Sequence, residues 1–136
     1  MNVLIDTSVW SLALRRSPPA QEPTVVELTE LIREYRVQML GAIRQELLSG
    51  IRSTQQFDAL RRHLRAYPDL ELAPDDYELA ADFFNQCRKR GVQGSNTDFL
   101  ICACAHRHHL AIFTTDKDFY LYQQHLPIRL HQARTS

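Results

Sequence analysis

The amino-acid sequence predicts an α/β protein in which a central, mainly parallel sheet lies between layers of helices. Two short apolar runs, Val3–Ile5 and the run over 111–115, are too short for buried helices. Such runs are typical of strands that are covered on both faces. Segments with helical periodicity alternate with strand-like ones along the chain, a pattern typical of parallel sheets. With 136 residues, the chain has the length of one domain, which we expect to span 1–136.

Local signals define the elements. The strand over 2–6 leads into a helix over 7–14, and two prolines predict a loop over 17–21. Prolines at helix starts and glycines at helix ends set several later bounds. In the middle of the chain we predict helices over 24–35, from 41 or 42 to about 48, and over 53–67, with strands over 37–40 and 70–72. The last part has a helix over 74–90 and a largely apolar helix over 97–109 that is capped by Asn96. Strands over 111–115 and 128–130 follow.

Composition excludes several classes of protein. The apolar content of 44% is typical of a globular protein, and there is no run of apolar residues long enough for a membrane-spanning helix. The N-terminus has no features of a secretory signal, so we expect a cytoplasmic protein. Cys87, Cys102 and Cys104 are expected to be reduced core residues and not a disulfide framework or a zinc site. The net charge of zero argues weakly against a nucleic-acid partner, although basic residues cluster over 61–65 and 88–90.

Four carboxylates are candidates for chemistry because of their positions. Asp6 and Asp116 each follow a predicted strand, Asp98 lies in the first turn of the apolar helix, and Glu46 lies on the helix after the second strand. Each also has a structural interpretation: Asp6 and Asp116 as helix caps, Asp98 as a first-turn acid, and Glu46 as a solvated side chain. Because parallel strands end at one edge of a sheet, all four could converge there.

Crowded carboxylates repel one another unless a cation neutralises them. Oxygen-only ligands favour a hard cation such as Mg²⁺ or Mn²⁺, and a site of this kind suits phosphodiester hydrolysis. The polar side chains of Ser8, Asn96 and Thr114 are candidates for orienting a ligand or a water molecule.

Four segments together resemble a known family. They are Leu4–Trp10, Arg44–Gly50, Asn96–Ile101 and Ile112–Phe119. In this order, and in a chain this short, they make the sequence similar to PIN-domain proteins, most of all to the VapC-type toxins of bacterial toxin–antitoxin pairs. The resemblance covers essentially the whole chain and implies a three-layer α/β/α sandwich and a ribonuclease that depends on Mg²⁺ or Mn²⁺.

The resemblance also implies roles for individual residues. Asp6 and Asp98 would be the principal metal ligands, Asp116 would bind directly or through water, and Glu46 would position the metal or the attacking water. Asp118 would contact the metal-binding residues without binding the metal itself, or it would cap the last helix. The implied partners are an RNA substrate, a cognate antitoxin and a second copy of the chain in a homodimer.

Two other functions remain open at this point. One is a catalytically inactive PIN-like module that binds RNA or protein. The other is a phosphoryl-transfer domain that uses Asp6 as a nucleophile with Lys117 nearby. One phosphatase class would place a second aspartate two residues after the first, where this chain has Ser8.

Overall fold

The central sheet has three parallel strands, with the first strand of the chain in the middle. In the computed structural model, which describes residues 1–15 and 22–134, the strands are β1 (Val3–Ile5), β2 (Val37–Gln38) and β3 (Ala111–Phe113), in the order β2-β1-β3. Val3 pairs with Val37 on one side and with Ala111 on the other. Every residue of β1 and β3 is buried, as expected for strands covered on both faces.

Helices flank the sheet and confirm the predicted α/β/α architecture. They are α1 (Thr7–Ala13), α2 (Pro23–Arg33), α3 (Gly41–Leu48), α4 (Thr54–Leu64), α5 (Pro74–Lys89), α6 (Asn96–Arg107) and α7 (Asp118–Gln123). Gly50 and Gly91, just beyond α3 and α5, have φ values of +85° and +76°, which glycine adopts without strain. The predicted loop over 17–21 lies outside the described residues. Within the two described ranges, every helix is too short or too polar to cross a membrane.

Two predicted strands are wrong. The segment over 70–72 contributes no bridge, since the nearest one joins Met39 to Asp69 just before it, and the segment over 128–130 contributes only a bridge between Ile112 and Leu130. The first segment turns away into α5 at once. The second bonds to one residue of β3, because both of the backbone bonds that join them, from Ile112 to Arg129 and from His131 to Ile112, involve Ile112.

The most apolar helix, α6, lies at the centre as predicted. Its residues Phe99 and 101–105 are buried, and α6 packs along α5 and against β3. Trp10 and Phe119 are also core residues. The three cysteines are buried, on α5 and α6, so their prediction as core residues is confirmed. The predicted cap of α6 is wrong: Ser95 caps the helix with its hydroxyl, and Asn96 is the first helical residue.

Candidate active site

Asp6 lies where β1 ends, beside the end of β3. Its backbone amide donates to the carbonyl of Phe113 at 2.9 Å, which continues the strand pairing by one residue. Asp6 occupies the N-cap position of α1, but its carboxylate makes no capping bond. Instead, Asp6 Oδ2 accepts hydrogen bonds from the hydroxyls of Ser8 at 2.7 Å and Thr114 at 2.8 Å. The Asp6 side chain is therefore held at the sheet edge, and its position is not explained by capping of α1.

Asp116 belongs to the same hydrogen-bond network. The hydroxyl of Thr114 that donates to Asp6 also accepts from the backbone amide of Asp116 at 3.0 Å. Asp116 Oδ1 in turn accepts from the backbone amide of Asp118 at 3.0 Å. Asp118 is the first residue of α7, so the turn into that helix holds the Asp116 carboxylate. One hydroxyl thus links the two acids that follow β1 and β3.

Asp98 approaches this pair from the first turn of α6. It is half-buried, and its Oδ2 accepts a hydrogen bond of 2.7 Å from the hydroxyl of Tyr122. Burial raises the pKa of Asp98, and the negative charges of Asp6 and Asp116 raise it further, against hydrogen bonds that lower it. Asp6 and Asp116 therefore lie near enough to Asp98 for their charges to act on its carboxylate.

Glu46 lies at the rim. It is exposed on α3, and its Oε1 accepts a hydrogen bond of 2.6 Å from the hydroxyl of Thr7, the residue after Asp6. Glu46 and Thr7 line a cleft of about 520 Å³ together with Thr97, the residue before Asp98. Glu46 thus shares a cleft with the neighbours of Asp6 and Asp98, but it is not part of the more buried group.

The partners of these carboxylates are hydroxyls and amides. None of the ion pairs formed within 1–15 and 22–134 includes Asp6, Glu46, Asp98 or Asp116. In the same ranges, no three acidic, histidine or cysteine side chains already surround a common point at metal-binding distance. The donor chemistry nevertheless fits a hard divalent cation, because every donor is oxygen and the acids raise the pKa of Asp98 by repulsion.

The hydrogen bonds also leave oxygen atoms for a ligand. Direct bonds from the described residues fall on a single oxygen of each carboxylate. The oxygens used are Oδ2 of Asp6, Oε1 of Glu46, Oδ2 of Asp98 and Oδ1 of Asp116. A carboxylate held by one oxygen is oriented and can still present the other.

Sequence reasoning missed three residues of this site and, outside the site, the burial of one further acid, Asp76. Thr7, Ser95 and Tyr122 hold site residues; Thr7 and Ser95 are close to them in sequence, whereas no local pattern points to Tyr122. Asp76, in the first turn of α5, is fully buried, forms an ion pair with Arg107 and is hydrogen-bonded to His108. Its partners lie more than 30 positions away, beyond the reach of local patterns.

Comparisons with known proteins agree with this architecture. The model of the PIN domain family matches residues 3–124. FitAcB from Neisseria gonorrhoeae is similar in structure, with a TM-score of 0.76 and 22% identity over 96% of this chain and 97% of that one. VapBC2 from Rickettsia felis, bound to a promoter DNA fragment, has a TM-score of 0.77 and 15% identity over 96% and 98%. VapBC-5 from Mycobacterium tuberculosis, of the VapBC family of toxin–antitoxin systems, has a TM-score of 0.67 and 19% identity over 97% and 99%.

No curated protein matches the chain. At identities of 15% to 22%, the solved structures establish a shared fold and nothing finer. The family match is stronger evidence, since it runs from β1 through α7 and includes all four predicted acids. This chain belongs to the PIN-domain family.

Proposed function

We propose that this protein is a divalent-metal-dependent endoribonuclease and the toxin of a toxin–antitoxin pair. One observation carries the proposal: Thr114 links Asp6 to Asp116, and both acids lie near enough to Asp98 on α6 for their charges to raise its pKa. A fold gains no stability by gathering like charges, so the arrangement favours a site that receives a cation. Membership of the PIN-domain family supports the same interpretation.

Each acid has a role in the proposed site. Asp6 and Asp98 hold Mg²⁺ or Mn²⁺, Asp116 binds it directly or through water, and Glu46 positions the cation or the attacking water from the rim. When bound, the cation activates water and offsets the charge on the leaving oxygen. Hydrolysis adds water across one P–O bond of the RNA, and the protein's task is to hold the phosphate and water in line.

The remaining residues orient these acids. Ser8 and Thr114 fix Asp6 through Oδ2, the start of α7 fixes Asp116, and Thr7 fixes Glu46. Hydroxyl and amide donors hold a carboxylate in place without neutralising it, unlike lysine or arginine. This is the environment that a cation-binding carboxylate needs.

The proposed partners are a cognate antitoxin and a second copy of the chain. Three of the similar structures are described as VapBC or FitAcB assemblies, one of them with DNA from its promoter. In this chain, Val26 on α2 and Tyr120 and Leu121 on α7 are exposed apolar or aromatic side chains, the kind that a protein partner covers.

Cleavage of RNA by the purified protein tests the proposal. We expect cutting with Mg²⁺ or Mn²⁺ and none with EDTA. Asp98→Asn should reduce the rate by about 100-fold or more, since a cation at such a site stabilises the transition state by several kcal/mol. The matched control is Asp75→Asn, an exposed acid in the first turn of α5, which should cut normally.

Undiminished cleavage by Asp98→Asn would show that the site is wrongly assigned. A folded protein that neither cuts RNA nor binds Mn²⁺ in calorimetry would support the alternative of an inactive PIN-like module that binds RNA or protein. A trapped phospho-aspartate at Asp6 would favour the phosphoryl-transfer alternative.

A further inference from the structure

Tyr122 places a buried hydroxyl against the acidic site. The residue is fully buried on α7, and its hydroxyl donates to Asp98 Oδ2 at 2.7 Å. The ring packs against Phe99 and Phe119, with centroid separations of 5.0 and 5.2 Å. Because the two aromatic contacts fix the ring, the hydroxyl has a fixed direction as well. A donor to a carboxylate makes a stronger and more directional bond than one to a neutral acceptor.

Gly94 provides the space for that hydroxyl. A Cβ atom at position 94 would lie 2.3 Å from Tyr122 Oη and 3.0 Å from Phe99 Cε2. Both Gly50 and Gly91 have positive φ, whereas Gly94 does not, so backbone conformation does not explain the glycine at 94. Absence of a side chain does explain it, since any other residue would push the Tyr122 hydroxyl away from Asp98.

Helix α7 connects two of the acids through its own residues. Its first residue, Asp118, donates its backbone amide to Asp116, and one turn later Tyr122 reaches Asp98. A single short helix therefore sets the separation between a carboxylate that follows β3 and one that begins α6.

We propose that Tyr122 is a positioning residue of the acidic site: its hydroxyl, seated against Gly94, holds the Asp98 carboxylate in the orientation that binds the divalent cation. The inference rests on the proposed function, since it concerns the same cation. Partners that orient a metal-binding carboxylate typically contribute a factor of about 10 to 100 in metal affinity. Tyr122 belongs to this class and touches neither substrate nor cation.

The test is Mn²⁺ affinity of the purified protein, measured by calorimetry. Tyr122→Phe removes only the hydroxyl and should weaken Mn²⁺ binding about tenfold or more. Tyr120→Phe, an exposed tyrosine on the same helix, is the control and should bind as the unmodified protein does. RNA cleavage by Tyr122→Phe should fall at limiting Mn²⁺ and recover at saturating Mn²⁺, which a misfolded site would not show.

A second variant reaches the same bond from the other side. Gly94→Ala keeps both the tyrosine and the aspartate but displaces the hydroxyl, so it should weaken Mn²⁺ binding as Tyr122→Phe does. Gly41→Ala is its control, because a Cβ there meets its nearest atom, Asp69 Oδ2, at an ordinary 3.6 Å. Circular dichroism on all four variants verifies that they are folded.

The outcomes separate this inference from the proposed function. Unchanged Mn²⁺ affinity in both Tyr122→Phe and Gly94→Ala would overturn the positioning role and leave the proposed function standing. No Mn²⁺ binding by the unmodified protein would overturn the proposed cation site and this role with it.

Discussion

Two kinds of buried acid occur in this protein, and they have opposite partners. Asp76 on α5 is fully buried; it forms an ion pair with Arg107 at 2.7 Å and a hydrogen bond with His108 at 3.0 Å. Asp6 is almost as buried, at 6% exposure, but only hydroxyls donate to its carboxylate. Although burial raises the pKa of Asp76, its hydrogen bonds from Ala73, Arg107 and His108 bring it below its usual value. The pKa of Asp98 is instead raised.

Glu27 on α2 repeats the first arrangement. It is 2% exposed and is paired with His131 and Arg134 of the C-terminal segment, which lower its pKa against the effect of burial. The chain thus uses its own cations where acids join elements together, α5 to α6 and α2 to the C-terminal segment. At the sheet edge it supplies none from the described residues. We infer that the missing charge comes from solution.

The largest expected effect is the stabilisation of the protein by an added divalent cation, which would supply the missing positive charge at the sheet edge. Mn²⁺ at a free concentration a hundredfold above its dissociation constant should stabilise the unmodified protein by about 2.7 kcal/mol. Asp98→Asn should gain much less, whereas Asp75→Asn should gain as much as the unmodified protein. Thermal unfolding with Mn²⁺ and with EDTA measures the difference. Equal stabilisation of Asp98→Asn would mean that Mn²⁺ binds elsewhere.

The next largest effect is expected from a substitution of Asp76, the buried acid whose charge is paired within the protein. Asp76→Asn keeps the shape of the side chain but removes the charge that Arg107 and His108 share, and it weakens the bond from the Ala73 amide. We expect the free energy of unfolding to fall by about 2 kcal/mol, the range for hydrogen bonds to a charged group. Urea unfolding with an unchanged m-value measures it. No loss would show that these ion pairs do not stabilise the α5–α6 junction.

The same substitution at the sheet edge should have the opposite sign. Without metal at pH 7, Asp98→Asn removes a charge that its neighbours repel, and the amide oxygen can still accept from Tyr122. We expect a gain on the order of 0.5–1 kcal/mol in the free energy of unfolding. A loss would mean that the carboxylate is already neutralised within the fold.

The pH dependence follows from the same pKa directions. The folded-state pKa of Asp98 is raised above 3.8, so the folded protein binds its proton more tightly and stability falls as pH rises from 3.8 through that pKa. Asp98→Asn should remove this fall. The pKa of Asp76 is lowered, so its contribution is present above 3.8 and is lost as pH falls through the folded-state pKa. Unfolding measured in metal-free buffers across the acid range distinguishes the two.

The smallest effect concerns an exposed pair. A hydrogen bond from Arg134, followed by one from Arg36, lowers the pKa of Glu34 to about 2 from 4.5. In Arg36→Gln we expect this pKa to move part of the way back, since Arg134 remains. Titration followed by NMR measures it. Exposed pairs contribute little to stability, so unfolding should hardly change.

Much of the sheet edge could be predicted from sequence, because β1 and β3 are short apolar runs and Asp6 and Asp116 directly follow them. The segments over 70–72 and 128–130 have similar apolar patterns, yet the first makes no bridge and the second makes only one, since strand pairing depends on what lies opposite. Tyr122 could not be assigned to the site, because its role depends on Asp98, 24 residues earlier, and on the space at Gly94.

The reactivity of the three buried cysteines can be used to measure how often the α5–α6 helix pair opens. Burial raises the pKa of each thiol, that of Cys104 to about 12. Alkylating reagents attack the thiolate, so a folded molecule should resist them and an opened one should react. Because Cys87 lies on α5 and the other two on α6, the labelling rate follows separation of that helix pair without any introduced probe. Mass spectrometry of the alkylated protein would then measure the fraction of molecules that have opened by a given time, in native buffer and without denaturant.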